Sequence, residues 1–339
     1  MKFNLTLLMI LICGSLTAQV GGKGTYSFLN IPVSARTLAL GSNFISSDYN
    51  NDPNLAWNNP SILNPKMHQH VSVSYHNYVA DINSGFFTYA RHFKNKGTFS
   101  VGVNYLSMGK FDGYDPAGIS TGTFTANDQC FYLAYGNQHK KWSYGASLKY
   151  IYSIYESFVS SGVSSDLSGS YNDTSRNLTV TLFGRNLGYQ VIPYSNTDRD
   201  LLKSELAISI SKKLEHLPFT YHIVLHNLQS PDFRYNIENT GVKNEFGENK
   251  VQTMTMGDNI LRHFVLGGEL NFSKHFVFRF GYDHMKRREL TQEQRKGTSG
   301  FGWGLGIKIK KFHFSYGSST FFPGINANQF SLMTNLSEF

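Results

Sequence analysis

From about residue 70 to the end of the chain, apolar side chains alternate with small or polar ones in one segment after another. In the clearest segment, 301–310, five large apolar residues alternate with three glycines and two lysines. The segment 142–153 follows the same rule, with aromatic and aliphatic residues set against Ser, Gly and Lys. Successive side chains of a β-strand point to opposite faces of the sheet. The pattern therefore predicts strands with one apolar and one polar face.

The polar face is mostly Gly, Ser, Thr and Asn, whereas the outer face of a soluble sandwich would be rich in charge. This composition is typical of a barrel with a cramped polar interior and lipid outside. Such a barrel must close, because an open sheet edge in lipid would leave backbone groups without hydrogen-bond partners. We predict an all-β fold, a closed antiparallel transmembrane barrel of about fourteen strands, an even number as bacterial barrels require. The predicted strands are 70–80, 84–94, 97–108, 123–137, 141–155, 158–173, 177–190, 203–214, 218–229, 259–273, 275–288, 299–310, 311–322 and 328–338.

The connections between these strands are short at one end of the barrel and mostly long at the other. The long ones are expected at 109–122, 191–202, 230–258 and 289–298. Short turns usually face the periplasm and long loops the cell surface. The sequence therefore predicts the long loops to be surface-exposed.

The first 69 residues do not alternate in this way. Residues 1–18 have the features of a signal peptide: Lys2, an apolar run from Leu5 to Leu16, and Ala18 before the expected cleavage point. Residues 19–69 contain Asn-Pro and Gly-Gly pairs and predict short helices and turns. We expect this segment to fold into the lumen as a hatch, with 70–339 as the barrel of an exported protein in the bacterial outer membrane.

Composition agrees with a membrane barrel. Aromatic residues make up 15% and charged residues 16% of the chain, whereas a soluble domain carries about 25% charged residues. The net charge of +8 is spread over strand ends and loops, which favours anionic lipid, lipopolysaccharide or an acidic partner over nucleic acid. Cys130 is the one cysteine expected after export, so neither an intramolecular disulfide nor a thiolate metal site is predicted.

The candidate chemistry points away from catalysis, because no nucleophile elbow, zinc motif or phosphate-binding loop is present. No enzyme activity and no cofactor are predicted. His68, His70 and His76 lack neighbouring carboxylates, so we do not expect a metal site there. Charged side chains on the predicted lumen face could line a substrate path, but we expect them to pair with one another and with the hatch. These residues are Lys149, Arg185, Glu269, Arg279, Asp283 and Lys308, together with His222 and His226.

The N-terminal segment resembles the hatch of the FadL family of outer-membrane proteins. A run of small residues with one Arg ends at Gly41, and Asp48 and Asp52 follow. Next come Trp57 and the pair Asn59-Pro60, where the family usually continues with Ala and this chain has Ser. The resemblance implies that Gly41, Trp57, Asn59 and Pro60 form the hatch motif.

Within that family, the chain looks most like the PorQ family of the type IX secretion system of Bacteroidetes. The resembling stretches are 22–30, 89–93, 105–111, 185–190, 311–317 and 334–339. The resemblance implies a non-catalytic barrel that holds a PorZ-like surface protein beside PorU-like and PorV-like subunits. That complex processes cargo and links it to lipopolysaccharide.

Two main functions follow from the sequence. One is an anchoring subunit of a secretion complex, and the alternative is a FadL-like channel or transporter for a hydrophobic small molecule. A transporter of apolar ligands should offer an apolar pocket, whereas the predicted lumen face is polar. The sequence therefore favours the anchor. A generic aqueous porin is a weaker third hypothesis, because the hatch segment argues against it.

Overall fold

The computed structural model describes residues 24–41, 44–46, 51–195, 199–232, 255–290, 297–322 and 325–339. In this part of the chain, fourteen antiparallel strands form a closed barrel in which each strand pairs with its neighbours in sequence and β1 pairs with β14. The predicted fold class is confirmed. The strands are β1 His70–Val79, β2 Ile82–Phe93, β3 Gly97–Tyr114, β4 Ser120–His139, β5 Trp142–Tyr155, β6 Phe158–Asp173, β7 Leu178–Ile192, β8 Glu205–Lys213, β9 Phe219–Leu225, β10 Phe264–Asn271, β11 Phe276–Asp283, β12 Phe301–Ile309, β13 Phe312–Phe322 and β14 Ile325–Asn335.

The seam between β1 and β14 closes the barrel with the same antiparallel register as the other pairs. It runs from His70 opposite Asn335 to Asn77 opposite Asn328. Closure satisfies the backbone groups of both terminal strands, which lipid cannot do. Among the described residues, no helix is both long and apolar enough to cross a membrane.

The alternation seen in the sequence separates the two faces of the wall. On β12, Gly302 and Gly304 are buried on the inner face, while Phe301 and Trp303 are 49% and 46% exposed on the outer face. The same contrast holds for β5, where Ser147 is buried and Leu148 is 66% exposed. An apolar band of this extent is stable only against lipid or a partner.

The predicted 109–122 loop is wrong, because most of it is strand. β3 continues to Tyr114 and β4 begins at Ser120, so that 115–119 is the connection. Glycines at 109, 113 and 122 interrupt the alternation of side chains, but the backbones still pair. The rings of Phe111 and Phe124 stack across this ribbon with centroids 5.3 Å apart.

Two predicted strands are too long, because short helices occupy one end of each. Helix α2 (Met256–Leu261) precedes β10, and helix α3 (His284–Glu289) follows β11. Thr255 accepts a hydrogen bond from the Asp258 amide, and Asp283 accepts one from the Lys286 amide. These N-caps stabilise helix starts that strand alternation cannot reveal. Most of the predicted 230–258 loop lies outside the described residues.

The residues before β1 form short helices. Helix α1 (Ala35–Ala39) begins with a capping box between Ser34 and Thr37. Gly41 follows its C-terminal end with a φ of 72°, the left-handed conformation that glycine favours at a helix end. Four single 3-10 turns accompany it: Ser27–Asn30, Pro53–Trp57, Pro60–Ile62 and Pro65–Met67. Helix α1 contacts β11–β14, whereas the turn Pro60–Ile62 contacts β4–β6. The segment thus reaches two well-separated parts of the wall. The predicted signal peptide, 1–18, lies outside the described residues.

Candidate functional site

Helix α1 packs directly on a set of glycines on the inner face of the wall. A Cβ atom added to Gly302 would lie 2.7 Å from the Leu38 carbonyl oxygen, and one added to Gly281 or Gly317 would collide with the backbone of Leu40 or Ala35. The Ala35 amide also donates to the Ser331 hydroxyl at 2.9 Å. The absence of side chains on β11, β12 and β13 therefore lets two backbones touch.

Glu269 is the centre of a buried charge cluster beside this helix. Its Oε1 accepts from the Arg36 guanidinium at 2.6 Å and lies 3.0 Å from His222 Nε2. Its Oε2 accepts from Arg279 Nε at 2.9 Å. All four side chains are nearly excluded from solvent. One carboxylate of β10 thus pairs with two arginines, one from the N-terminal segment and one from β11.

Ser211, His222 and Glu269 also form a hydrogen-bonded chain, which invites comparison with a catalytic triad. The Ser211 hydroxyl lies 2.6 Å from His222 Nδ1 and 2.6 Å from the Ser46 hydroxyl. The serine has no exposed surface, and the carboxylate is already neutralised by Arg36 and Arg279. A nucleophile must reach its substrate, so we interpret this chain as structural.

Lys149 and Trp57 form a second buried contact on the opposite wall. The Lys149 ammonium pairs with Asp166 at 2.5 Å and lies 4.1 Å from the centroid of the Trp57 ring. The indole packs edge-on against Phe86 and Tyr132, with centroids 5.5 and 5.3 Å away. A desolvated cation over an indole face is worth about 2 kcal/mol. Trp57 is therefore held by both aromatic and ionic contacts.

Arg185 connects three points of the N-terminal segment. Its guanidinium donates to Asn58 Oδ1 at 2.9 Å and to Asn30 Oδ1, and it lies 4.9 Å from the centroid of the Phe44 ring. It also pairs with Glu205 at 3.1 Å, and the second oxygen of Glu205 lies 3.3 Å from His226. Arg185 is 2% exposed.

The Asn59-Pro60 motif lies against β4–β6. The Asn59 amide donates to the Ile45 carbonyl at 3.0 Å, and Pro60 begins a 3-10 turn. The Ser61 amide donates to the Ser168 hydroxyl at 2.8 Å. An added Cβ at Gly145 would collide with the Pro60 backbone. Small wall residues again receive the backbone of the segment.

The remaining predicted residues behave differently from one another. Gly41 accepts a hydrogen bond at its carbonyl from the Lys286 ammonium at 3.2 Å. Asp283 is buried, but it caps helix α3 and pairs with Lys286 at 3.1 Å. Lys308 is only half-buried near the short-turn end of β12, and no ion pair joins it to another described residue. The expectation that lumen charges pair thus fits Lys149, Arg185, Glu269 and Arg279 best.

The three histidines considered for metal binding do not share a site in the described structure. His68 Nδ1 lies 3.2 Å from the His92 carbonyl oxygen, and His70 Nδ1 lies 3.3 Å from that of His68. His76 is buried beside the rings of Tyr78 and Phe321. Within the described ranges, no group of three or more His, Cys, Asp or Glu could hold a metal ion.

Sequence reasoning did not identify several partners in these clusters. The sequence pattern includes Arg36 only within the run that ends at Gly41, and it does not single out Asp166 or Glu205. Both carboxylates lie at strand positions whose alternation could have indicated the inner face. Their pairing with Lys149 and Arg185 depends on strand register, which the sequence does not give.

No family model matches this chain. No curated protein matches it either. Among solved structures, the Pseudomonas putida toluene transporter TodX is similar over 94% of this chain and 98% of its own, with 10% identity and a TM-score of 0.52. A deltaS2 mutant of TodX, a monoaromatic hydrocarbon channel, is similar over 88% and 97%, with 11% identity and a TM-score of 0.52. A FadL homologue from Pseudomonas aeruginosa has a TM-score of 0.46 at 9% identity, over 89% and 98%.

The similarity to TodX, at 10–11% identity, shows the fold alone: this chain folds as a closed β-barrel of the same kind as TodX.

Proposed function

We propose that this chain is a non-catalytic outer-membrane barrel that anchors a surface protein in a type IX secretion complex. The expected neighbours are a PorZ-like surface protein and PorU-like and PorV-like subunits, with lipid or lipopolysaccharide around the outer face. The resemblance of the sequence to the PorQ family supports this proposal. In it, residues 1–18 direct export and the N-terminal segment acts as a hatch that stays closed.

The observation that carries the proposal is the attachment of the N-terminal segment to opposite sides of the wall. Arg36 pairs with Glu269 on β10, and Trp57 lies under Lys149 on β5. Arg185 on β7 holds Asn58. Breaking one buried pair costs about 3–5 kcal/mol, and moving the segment out of the lumen would break several together. Such a segment suits a permanent plug better than a gate.

A second candidate is a FadL-like channel for a hydrophobic small molecule. The comparisons support this alternative better than the secretion role, because TodX is a toluene transporter and its deltaS2 mutant is a monoaromatic hydrocarbon channel. The polar, tightly packed contacts of the lumen favour the anchor. The two candidates differ in whether the N-terminal segment must move.

A disulfide between the segment and the wall tests that difference. The hydroxyls of Ser61 and Ser170 are 2.6 Å apart, so Ser61→Cys with Ser170→Cys, in a Cys130→Ala background, should form a disulfide with little backbone movement. We expect the oxidised variant to retain its surface partner and support secretion as the reduced one does. The Ser61→Cys single variant is the control for the substitution itself.

Deleting residues 234–253 tests the anchor from the other side. This deletion should release the surface partner into the medium, while deleting 291–296, in another long connection, should not. A channel predicts a different outcome: the oxidised disulfide blocks toluene uptake into liposomes, and the loop deletion has little effect. That result would overturn the anchoring proposal.

A further inference from the structure

Two adjoining cavities lie between the N-terminal segment and the wall at the short-turn end of the barrel. Their volumes are about 450 and 350 Å³, and both are lined by Lys274, Lys308, His313 and Met333. Arg36 and Ser34 of the N-terminal segment lie at the inner boundary of the larger one. We refer to the two cavities together as the basic vestibule. The basic vestibule lies beside the short turns, at the barrel end that is predicted to face the periplasm.

The lining of the basic vestibule carries a large excess of positive charge. Among the described residues, seven lysine and arginine side chains but only two carboxylates, Asp52 and Glu338, contribute to it. Arg36 and Arg279 both pair with Glu269, whose single negative charge offsets one of their two positive charges. Most of the excess therefore belongs to the lysines of the lining.

Four lysines of the lining have no carboxylate partner among the described residues. No ion pair joins Lys66, Lys274 or Lys308 to another described residue, and Lys311 contacts the backbone oxygen of Glu338 and the ring of Phe339. The two carboxylates of the lining, Asp52 and Glu338, supply fewer negative charges than these four lysines supply positive ones. Unbalanced ammonium groups thus converge on one concavity.

A concave site lined by one sign of charge, with protein walls of low dielectric constant, attracts counter-ions strongly. Lysine ammonium groups bind phosphate as point charges, and His313 can add a hydrogen-bond donor beside Lys308, its cross-strand neighbour. The volume falls in the range of small-molecule sites, about 300–1,000 Å³. We propose that the basic vestibule binds a phosphate-bearing anion with at least two negative charges. This site does not depend on whether the barrel is an anchor or a channel.

The test is calorimetric titration of pyrophosphate into the full-length barrel in dodecyl maltoside at low ionic strength. Replacing both lysines on the shared lining, Lys274→Gln with Lys308→Gln, should weaken binding at least tenfold. The matched control is Lys94→Gln, an exposed lysine of the β2–β3 turn at the same end that does not line the cavities. Thermal unfolding should be the same for all three proteins, because none of these lysines is buried in an ion pair.

Two results would overturn the proposal: no measurable pyrophosphate binding, or an equal loss of affinity in the Lys94→Gln control, which would indicate diffuse surface charge. Competition then identifies the source of the phosphate. If dihexanoyl phosphatidylglycerol displaces pyrophosphate, and if both ligands lose affinity in the double variant, the site binds a lipid headgroup. Absence of displacement assigns it to a soluble anion.

Discussion

The inner and outer faces of the same strands have very different requirements. On β12 the outer face is a row of large apolar side chains that need only to be apolar, because lipid has no fixed shape. The inner face contacts helix α1 through glycines whose Cβ atoms would collide with the helix backbone. On β10 and β11 the inner face adds Glu269 and Arg279, which pair with each other, and Glu269 also pairs with Arg36. The side chains that fix one specific packing therefore lie on the inner face, and substitutions on each face can test this difference.

The largest effect is expected at Glu269. Changing Glu269→Gln leaves the buried Arg36 and Arg279 without their shared carboxylate. Breaking a buried ion pair in this way costs about 3–5 kcal/mol. Guanidinium unfolding of the barrel in detergent micelles should show a loss of that size. Glu156→Gln, on the exposed β5–β6 turn, is the control, and an equal loss there would mean that the buried cluster contributes no special stability.

The outer face should respond to charge and tolerate shape. Leu305→Arg places a cation against lipid near the middle of β12, at a cost of about 2–4 kcal/mol. Leu305→Met keeps the position apolar and should cost less than about 1.5 kcal/mol. Refolding titrations into lipid vesicles measure both. If arginine and methionine are tolerated equally, the outer face does not contact lipid at this depth.

The inner face should respond to shape even without a change in polarity. A Cβ at Gly304 would lie 2.7 Å from the Ala39 Cβ and would collide with the Tyr316 carbonyl oxygen, whereas one at Gly85 meets nothing within 4 Å. We expect Gly304→Ala to cost about 1–3 kcal/mol by overpacking, and Gly85→Ala to be nearly neutral. The sequence alone predicts that Gly304→Ser costs far less than Leu305→Arg, whereas these close contacts predict a comparable cost. Comparable unfolding midpoints for the two variants would mean that helix α1 can shift.

The smallest loss of stability is expected for partly exposed charges at the barrel mouth. Burial raises the pKa of Asp258, but hydrogen bonds from His284 and Arg262 outweigh it, so that the pKa lies below its ordinary value of 3.8. A lowered carboxyl pKa contributes stability above that value, and the contribution is lost as the pH falls through the folded-state pKa. Asp258→Asn should cost about 0.3–1 kcal/mol at pH 7, and its difference from the unmodified protein should shrink towards pH 3.

The control for this pH dependence is Asp112→Asn, at an exposed position of β3 without an ion pair in the described structure. Unfolding free energies measured at pH 7, 5 and 3 give the comparison. If the ion pairs of Asp258 with His284 and Arg262 are the source of the free-energy difference between Asp258→Asn and the unmodified protein, this difference should change from pH 7 to pH 3. A constant difference would therefore exclude these ion pairs.

Most of the barrel was predictable because the period of two acts on every strand. All fourteen predicted strands overlap an observed one. Errors occur where water replaces lipid. At 109–122, glycines and polar residues resemble a loop but pair as a ribbon. After Asp283 the chain becomes strongly basic, and the side-chain cap at Asp283 begins a helix that alternation does not encode.

The lumen was predictable only in part. Alternation assigned Lys149, Arg185, Glu269 and Arg279 to the inner face, where the structure has them buried. It could not pair Glu269 with Arg36, because the two lie 233 positions apart and the N-terminal segment has no periodic register with the wall. Such contacts depend on the path of an irregular chain across the lumen, and local pattern carries no information about that path.

The β1–β14 seam has a consequence for the order of assembly. The N-terminal segment is covalently continuous with β1, and its backbone contacts strands as late in the chain as β14, where the Ala35 amide donates to the Ser331 hydroxyl. Once His70–Asn77 pairs with Asn328–Asn335, the enclosure is complete. The strands that hold helix α1 include β14, the last strand of the chain, so the contacts of the segment are complete only once the seam has formed. Closure of the barrel is therefore also the step that completes the seating of the segment.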